Sequence, residues 1–170
     1  MEKLRTKFLE KVALYPKTYE ELVTRLTRVG DVSKSLGTNE EQFERGKAFG
    51  SVYECFMYAT MVGIKARNPL PFERGGAGKK FLPVKDWKPD TIVQYIFMSL
   101  LALGDFPLSD LESLNTDAED KKASELVNLM ECYAKGGFEL MSDKRKASPQ
   151  FFESPSNVVT FLKEMKPSDN

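Results

Sequence analysis

Residues 52–64 read VYECFMYATMVGI and carry one charged side chain, Glu54, in thirteen positions. A helix that is apolar on nearly all sides belongs in a protein interior, because it has no face suited to water. A second apolar stretch, residues 91–103, has no charged residue at all. It is too short to cross a bilayer, which takes about 20 apolar residues. The two stretches therefore predict a pair of central core helices.

Helix start and stop signals recur on both sides of this pair. Apolar residues at helical spacing predict a first helix, with Leu4, Phe8, Val12 and Tyr15 on one face and Pro16 at its end. Capping boxes, in which Thr is followed three residues later by Glu, predict three further helix starts. They are Thr18 with Glu21, Thr38 with Glu41, and Thr116 with Glu119.

The stop signals set the expected ends of these helices. Gly30 ends the second helix, the third runs to about Lys65, and Gly136 with Gly137 ends the helix that begins near Thr116. A short helix from 138 to 145 follows, and Ser156 caps a last helix that Pro167 ends.

No segment shows the alternation typical of a β-strand, so the sequence predicts an all-α fold. A length of 170 residues corresponds to about one domain. We expect a single compact helical domain over residues 1–166, with about six to eight helices. Residues 1–37 are expected as an N-terminal helical extension of it, and residues 167–170 as a disordered tail.

The segment from Asn68 to Lys88 is rich in Gly and Pro and has no sustained period, which predicts a long exposed loop. Loops of this length are often functional or disordered. Residues 65–90 carry a net charge of +4, and residues 91–134 carry −6. The basic segment either forms a patch for an anionic partner or is neutralised by the acidic segment in the fold. The candidate binding residues are Arg67, Arg74, Lys79, Lys80, Lys85 and Lys88.

The absence of histidine excludes several kinds of chemistry. Ser-His-Asp and Cys-His nucleophilic sites and histidine-containing zinc sites all need an imidazole. The glycine-rich run from Arg74 to Lys80 departs from a phosphate-binding Walker A loop, because Glu73 and Lys80 stand where Gly and Ser or Thr are required. Cys55 and Cys132 are expected to be buried free thiols. We expect no cofactor, no metal ion and no catalytic residue.

Asp86-Trp87-Lys88 has the Asp-x-Lys spacing of metal-dependent nucleases, with Glu73 as a second carboxylate. The competing interpretation is that Trp87 packs as an anchor while Asp86 and Lys88 stay in water. Five acidic residues surround the predicted helix start near residue 116, as the helix dipole favours, and we assign them no chemistry. They are Asp110, Glu112, Asp117, Glu119 and Asp120.

The first residues, MEKLR, lack the continuous apolar segment of a secretory signal peptide. We therefore expect a cytoplasmic protein with no contact to a membrane.

Three stretches carry a resemblance to a known family. They are YECFMYATMVG at 53–63 followed by NPLP at 68–71, Trp87 leading into residues 92–103, and YAKGGFE at 133–139. In this order they resemble the small accessory proteins encoded beside bacterial DNA-phosphorothioation (Dnd-type) clusters and, more loosely, components of other anti-phage operons. The resemblance spans roughly residues 45–140, and the more charged N-terminal third departs from it.

What the resemblance implies is a context, in which a subunit or regulator works beside larger defence enzymes. The leading hypothesis is a non-catalytic accessory subunit that binds other protein subunits of a defence operon, with contact to DNA as a further expectation. One alternative is a nucleic-acid-binding module that acts through the basic loop. A third hypothesis is a metal-dependent nuclease acting through Glu73, Asp86 and Lys88.

Overall fold

A computed structural model describes residues 2–27, 47–75, 78–104, 106 and 115–167 of the chain. Its helices and strands are α1 (Glu2–Glu10), β1 (Val12–Pro16), α2 (Glu20–Leu26), α3 (Val52–Lys65), β2 (Gly78–Pro83), α4 (Asp90–Leu103), α5 (Thr116–Ala147) and α6 (Pro155–Glu164). The predictions for Gly30, for the Thr38 capping box, for Asp110 and Glu112, and for residues 168–170 lie outside the described residues.

The fold is mostly helical, as predicted, but it is not strictly all-α, because β1 and β2 form a two-stranded antiparallel sheet. Val12 pairs with Pro83 and Leu14 with Lys80, with a bulge between them. The predicted first helix therefore ends at Glu10, and Val12 and the residues after it are extended. Short apolar runs fit helix and strand patterns equally well. Here the run forms a strand because it pairs with β2, about 65 residues further along the chain.

Helix α5 runs without interruption through Gly136 and Gly137, so the prediction that this pair ends a helix is wrong. The glycines lie where α5 meets α3 and the segment after it. A Cβ atom on Gly137 would lie 1.8 Å from the carbonyl oxygen of Ala59, and one on Gly136 would lie 1.7 Å from that of Asn68. On α3, a Cβ on Gly63 would lie 1.9 Å from the carbonyl oxygen of Tyr133. The three glycines permit a backbone-to-backbone approach that any side chain would block.

The N-termini of two helices differ from the predictions. Helix α3 begins at Val52, so the helix predicted to end at Lys65 does not continue back through residues 47–51, and Ser51 caps it by accepting a hydrogen bond from the Glu54 amide. Helix α5 is capped by Asn115 rather than Thr116, through a hydrogen bond of 2.9 Å from the Ala118 amide to Oδ1. Ser, Thr and Asn are all favoured as N-caps, so a motif places a helix start only approximately.

The predicted caps at Thr18 and Ser156 are also displaced. Helix α2 begins at Glu20 after a short 3-10 turn and has no side-chain cap. Helix α6 begins at Pro155, so Ser156 is already inside it, and it ends at Glu164. Proline suits the first turn of a helix because it has no amide hydrogen to leave unpaired.

The predicted long exposed loop from Asn68 to Lys88 is also corrected. It contains β2, and the side chains of Phe72, Val84 and Trp87 are buried. The indole Nε1 of Trp87 donates to the carbonyl oxygen of Leu82 at 2.9 Å, and its ring stacks on Phe81. Packing of these large side chains holds the segment against the core despite its Gly and Pro content.

The two apolar helices are central, as predicted, but they are buried to different extents. Helix α3 buries eight of its fourteen residues and packs along α5. Helix α4 buries one face, through Val93, Ile96, Phe97, Leu100 and Leu101. Among the described residues, no helix is long and apolar enough to cross a membrane. Cys55 and Cys132 are both free thiols, and only Cys55 is fully buried.

Candidate functional site

Arg74 is engaged inside the fold rather than presented to a partner. Its Nε donates to a carboxylate oxygen of Glu131 at 2.9 Å, and its Nη2 donates to the carbonyl oxygen of Val12, also at 2.9 Å. Glu131 is fully buried in α5 and accepts a further hydrogen bond, of 2.8 Å, from the Leu14 amide. Burial raises the pKa of Glu131, and the Arg74 guanidinium counteracts that rise. This cluster ties the segment before β2 to β1 and α5.

The other five predicted binding residues lie at several separate positions on the surface. Lys79 forms an ion pair with Glu20 of α2. Lys80 is exposed, and as the next residue of β2 it points to the opposite side of the strand. Arg67 is exposed just after α3, in the left-handed region with a φ of 49°. Only two of the six predicted residues, Lys85 and Lys88, line one cleft.

This cleft has a volume of about 170 Å³, and we call it the cationic cleft. It lies where α1, the turn before Trp87 and the start of α4 meet. Its charged residues are Arg5, Lys85, Lys88 and Asp90, and its apolar walls are Leu9, Val84, Trp87 and Val93. Lys88 pairs with Asp90 at 2.8 Å. Three cations against one carboxylate leave a positive excess, and the positive end of the α4 dipole adds to it.

Arg5 was missed by the sequence analysis because it precedes the basic segment by 60 residues or more. The spacing of apolar residues does indicate that Arg5 is accessible, because Leu4 and Phe8 define the buried face of α1 and Arg5 lies off that face. Its proximity to Lys85 and Lys88 comes from the packing of α1 against the turn that carries Lys85.

Next to the cationic cleft, α4 presents an uncharged outer face. Tyr95 and Met98 are 58% and 50% exposed, and Leu103 is also exposed. Thr91, Gln94 and Ala102 complete this face. None of the described elements covers it, although the composition of residues 91–103 predicted a core helix. A helix sequence without charged residues does not indicate which side of the helix faces solvent.

The predicted nuclease residues do not converge on the cleft. Asp90 is the carboxylate that lines it, and neither Glu73 nor Asp86 contributes to its walls. Both of those carboxylates are exposed, and Trp87 is buried as the anchor interpretation predicted. Within the described part of the chain, no cluster of three or more His, Cys, Asp or Glu residues could hold a metal ion.

Among the acidic residues at the start of α5, one forms an ion pair within the fold and another is buried. Asp120 pairs with Lys11 at 2.8 Å, and that lysine lowers the pKa of the Asp120 carboxyl. Glu119 is buried. The Arg74–Glu131 pair joins the basic segment to the acidic one. These contacts agree with the interpretation that charges in both segments are partly neutralised inside the fold.

Two of the three stretches that carry the resemblance, residues 53–63 with 68–71 and residues 133–139, come together in the structure. Ala59 and Gly63 of α3, Asn68 after it, and Gly136 and Gly137 of α5 form the close helix crossing. In this chain these two stretches therefore encode packing, whereas the third, Trp87 with residues 92–103, contributes to the cleft and to the outer face of α4. Comparison with known proteins finds no matching family model, no matching curated protein and no matching solved structure.

Proposed function

We propose that this protein is a non-catalytic accessory subunit of a bacterial anti-phage or DNA modification and restriction system, and that it acts in the cytoplasm by binding a partner protein. The observation that carries the proposal is the exposed, uncharged face of α4. The resemblance to accessory proteins of Dnd-type clusters supports the context in which this binding takes place.

The side chains of this face suit protein contact. Aromatic residues and methionine are enriched at the centres of protein interfaces, where charged residues are depleted, and the face presents Tyr95 and Met98 with no charge. Removing apolar surface from water contributes about 25 cal/mol per Å². A contiguous apolar patch on a protein surface marks an interaction site more often than isolated apolar residues do.

The proposal predicts that Met98→Glu abolishes phage protection. In a native host lacking the gene, the wild-type gene on a plasmid should restore protection, measured as the efficiency of plaque formation. The Met98→Glu variant should fail, because a charge would have to be buried in the interface without a partner. Val159→Glu is the matched control, since Val159 on α6 is 51% exposed and receives the same charge. Protection by both variants would contradict the proposal.

A nucleic-acid-binding module is the second candidate, and the cationic cleft favours it. Arg5 and Lys85 make no ion pair within the described part of the chain, and are therefore available to neutralise phosphates. This candidate predicts a gel shift of labelled DNA that weakens steeply with salt and is reduced by Lys85→Glu. The absence of any shift at low salt would eliminate it.

A further inference from the structure

We infer that the outer face of α4 and the cationic cleft form one docking surface, and that its occupant is an amphipathic helix of a partner protein with acidic residues at the end that lies over the cleft. The inference rests on the protein-binding role proposed above and specifies the chemistry of the partner.

The two features are continuous because α4 contributes to both. Asp90 and Val93 line the cleft, while Tyr95 and Met98 lie on the outer face. At 100° per residue, Gln94 lies between Asp90 and Met98 around the helix, so an exposed path connects the cleft with the outer face. From Asp90 to Ala102 the surface is about 18 Å long, which corresponds to roughly three helical turns. A helix of the partner with three or four turns matches that length.

Charge complementarity decides which end of the occupant is acidic. Lys88 is already paired with Asp90, so Arg5 and Lys85 provide the charge that a partner can meet. Residues 91–103 carry no charge, and they favour an apolar stripe over the rest of the surface. Acidic residues are also favoured in the first turn of a helix, so an acidic helix N-terminus suits the position over the cleft.

The same charges disfavour a nucleic acid as the occupant. A nucleic-acid backbone along α4 would leave its phosphates beside Tyr95 and Met98 with no cation to neutralise them. A helix with one apolar face and one acidic end satisfies both halves of the surface.

The test uses the purified full chain and a display library of helical peptides of about 20 residues. The peptides share a fixed leucine stripe at helical spacing, and their other positions are drawn from Glu, Lys, Gln and Ala. We expect selection to enrich glutamate in one terminal turn, and the selected peptides to bind more weakly as salt is raised. No enrichment over the empty support, or enrichment of lysine at both ends, would overturn the inference.

Four variants then locate the binding site of the selected peptides. We expect Met98→Glu and Lys85→Glu each to weaken binding by about tenfold or more. The matched controls, Val159→Glu and Lys80→Glu, should change it by less than about twofold, because those residues are exposed elsewhere. Circular dichroism melts verify that all four variants are folded. Binding that is indifferent to Met98→Glu would overturn the inference.

Two further results separate this inference from the proposed function. Sedimentation that shows a wild-type dimer, converted to a monomer by Met98→Glu, would assign the face to a second copy and overturn the acidic helix. The plaque assay uses no peptide, so loss of protection in Met98→Glu together with a failed peptide selection would reject the acidic helix alone.

Discussion

Replacing Gly137 by alanine is expected to destabilise the protein by about 3 kcal/mol or more. In the interior of an ordinary helix this change is stabilising by up to about 1 kcal/mol, because alanine has the higher helix propensity. Here the added Cβ would lie 1.8 Å from the Ala59 carbonyl oxygen, where the neighbour is backbone and cannot rotate away. The two helices would have to separate, which would disturb the packing along the whole of α3.

The measurement is the free energy of unfolding from urea denaturation followed by circular dichroism. Gly75→Ala is the matched control, because a Cβ at Gly75 meets no atom within 4 Å. The control should change the stability by less than about 0.5 kcal/mol. Equal stability of the two variants would show that the α3–α5 crossing does not depend on the missing Cβ.

Replacing Arg74 by methionine is expected to cost about 2 to 3 kcal/mol near pH 8. The substitution keeps much of the side-chain length but leaves the buried Glu131 carboxylate without its cation. Removal of one partner from a fully buried pair costs roughly 3 to 5 kcal/mol. The expected loss is smaller here, because the Arg74 side chain is 42% exposed and solvent screens the interaction.

The loss should depend on pH in a defined direction. Burial raises the pKa of the Glu131 carboxyl above its ordinary value of 4.5, and removal of Arg74 raises it further. A carboxyl whose folded pKa is raised stabilises the fold below its ordinary pKa, and this stabilisation is lost as the pH rises through the folded pKa. The difference between wild type and variant should therefore be larger at pH 8 than at pH 5.

Urea denaturation at the two pH values measures this difference. Lys80→Met is the control, since it removes one exposed cation of the same segment without affecting a buried carboxylate. A loss in Arg74→Met that is the same at both pH values would mean that Glu131 is not the group left unpaired.

The core helices could be predicted because their signal is local. Residues 52–64 and 91–103 lack charges, and every conformation that exposes them fully to water is unfavourable. The burial of Trp87 followed from similar reasoning about a large apolar side chain. The interpretation of Trp87 as a buried anchor between Asp86 and Lys88 is confirmed. The hypothesis that the protein cleaves nucleic acid stays a prediction.

Two of the predictions that were wrong share one cause, which is a partner distant in sequence. Val12 to Pro16 is a strand only because β2 pairs with it, and Gly136 and Gly137 continue a helix only because carbonyl groups of α3 and Asn68 approach them. Taken alone, an apolar run beside a proline predicts a helix end, and paired glycines predict a helix stop. Neither pattern contains information about which backbone lies opposite.

The sequence by itself determined a mostly helical fold, two apolar central helices and the exclusion of imidazole chemistry, because composition and local periodicity are sufficient for each. The tertiary structure alone decided which charges are available to a partner. It paired Arg74 with Glu131, which lies 57 residues away, and Lys79 with Glu20, and it brought Arg5 to Lys85. It also decided that α4 keeps one apolar face in water, because burial depends on the elements that pack on each side of a helix.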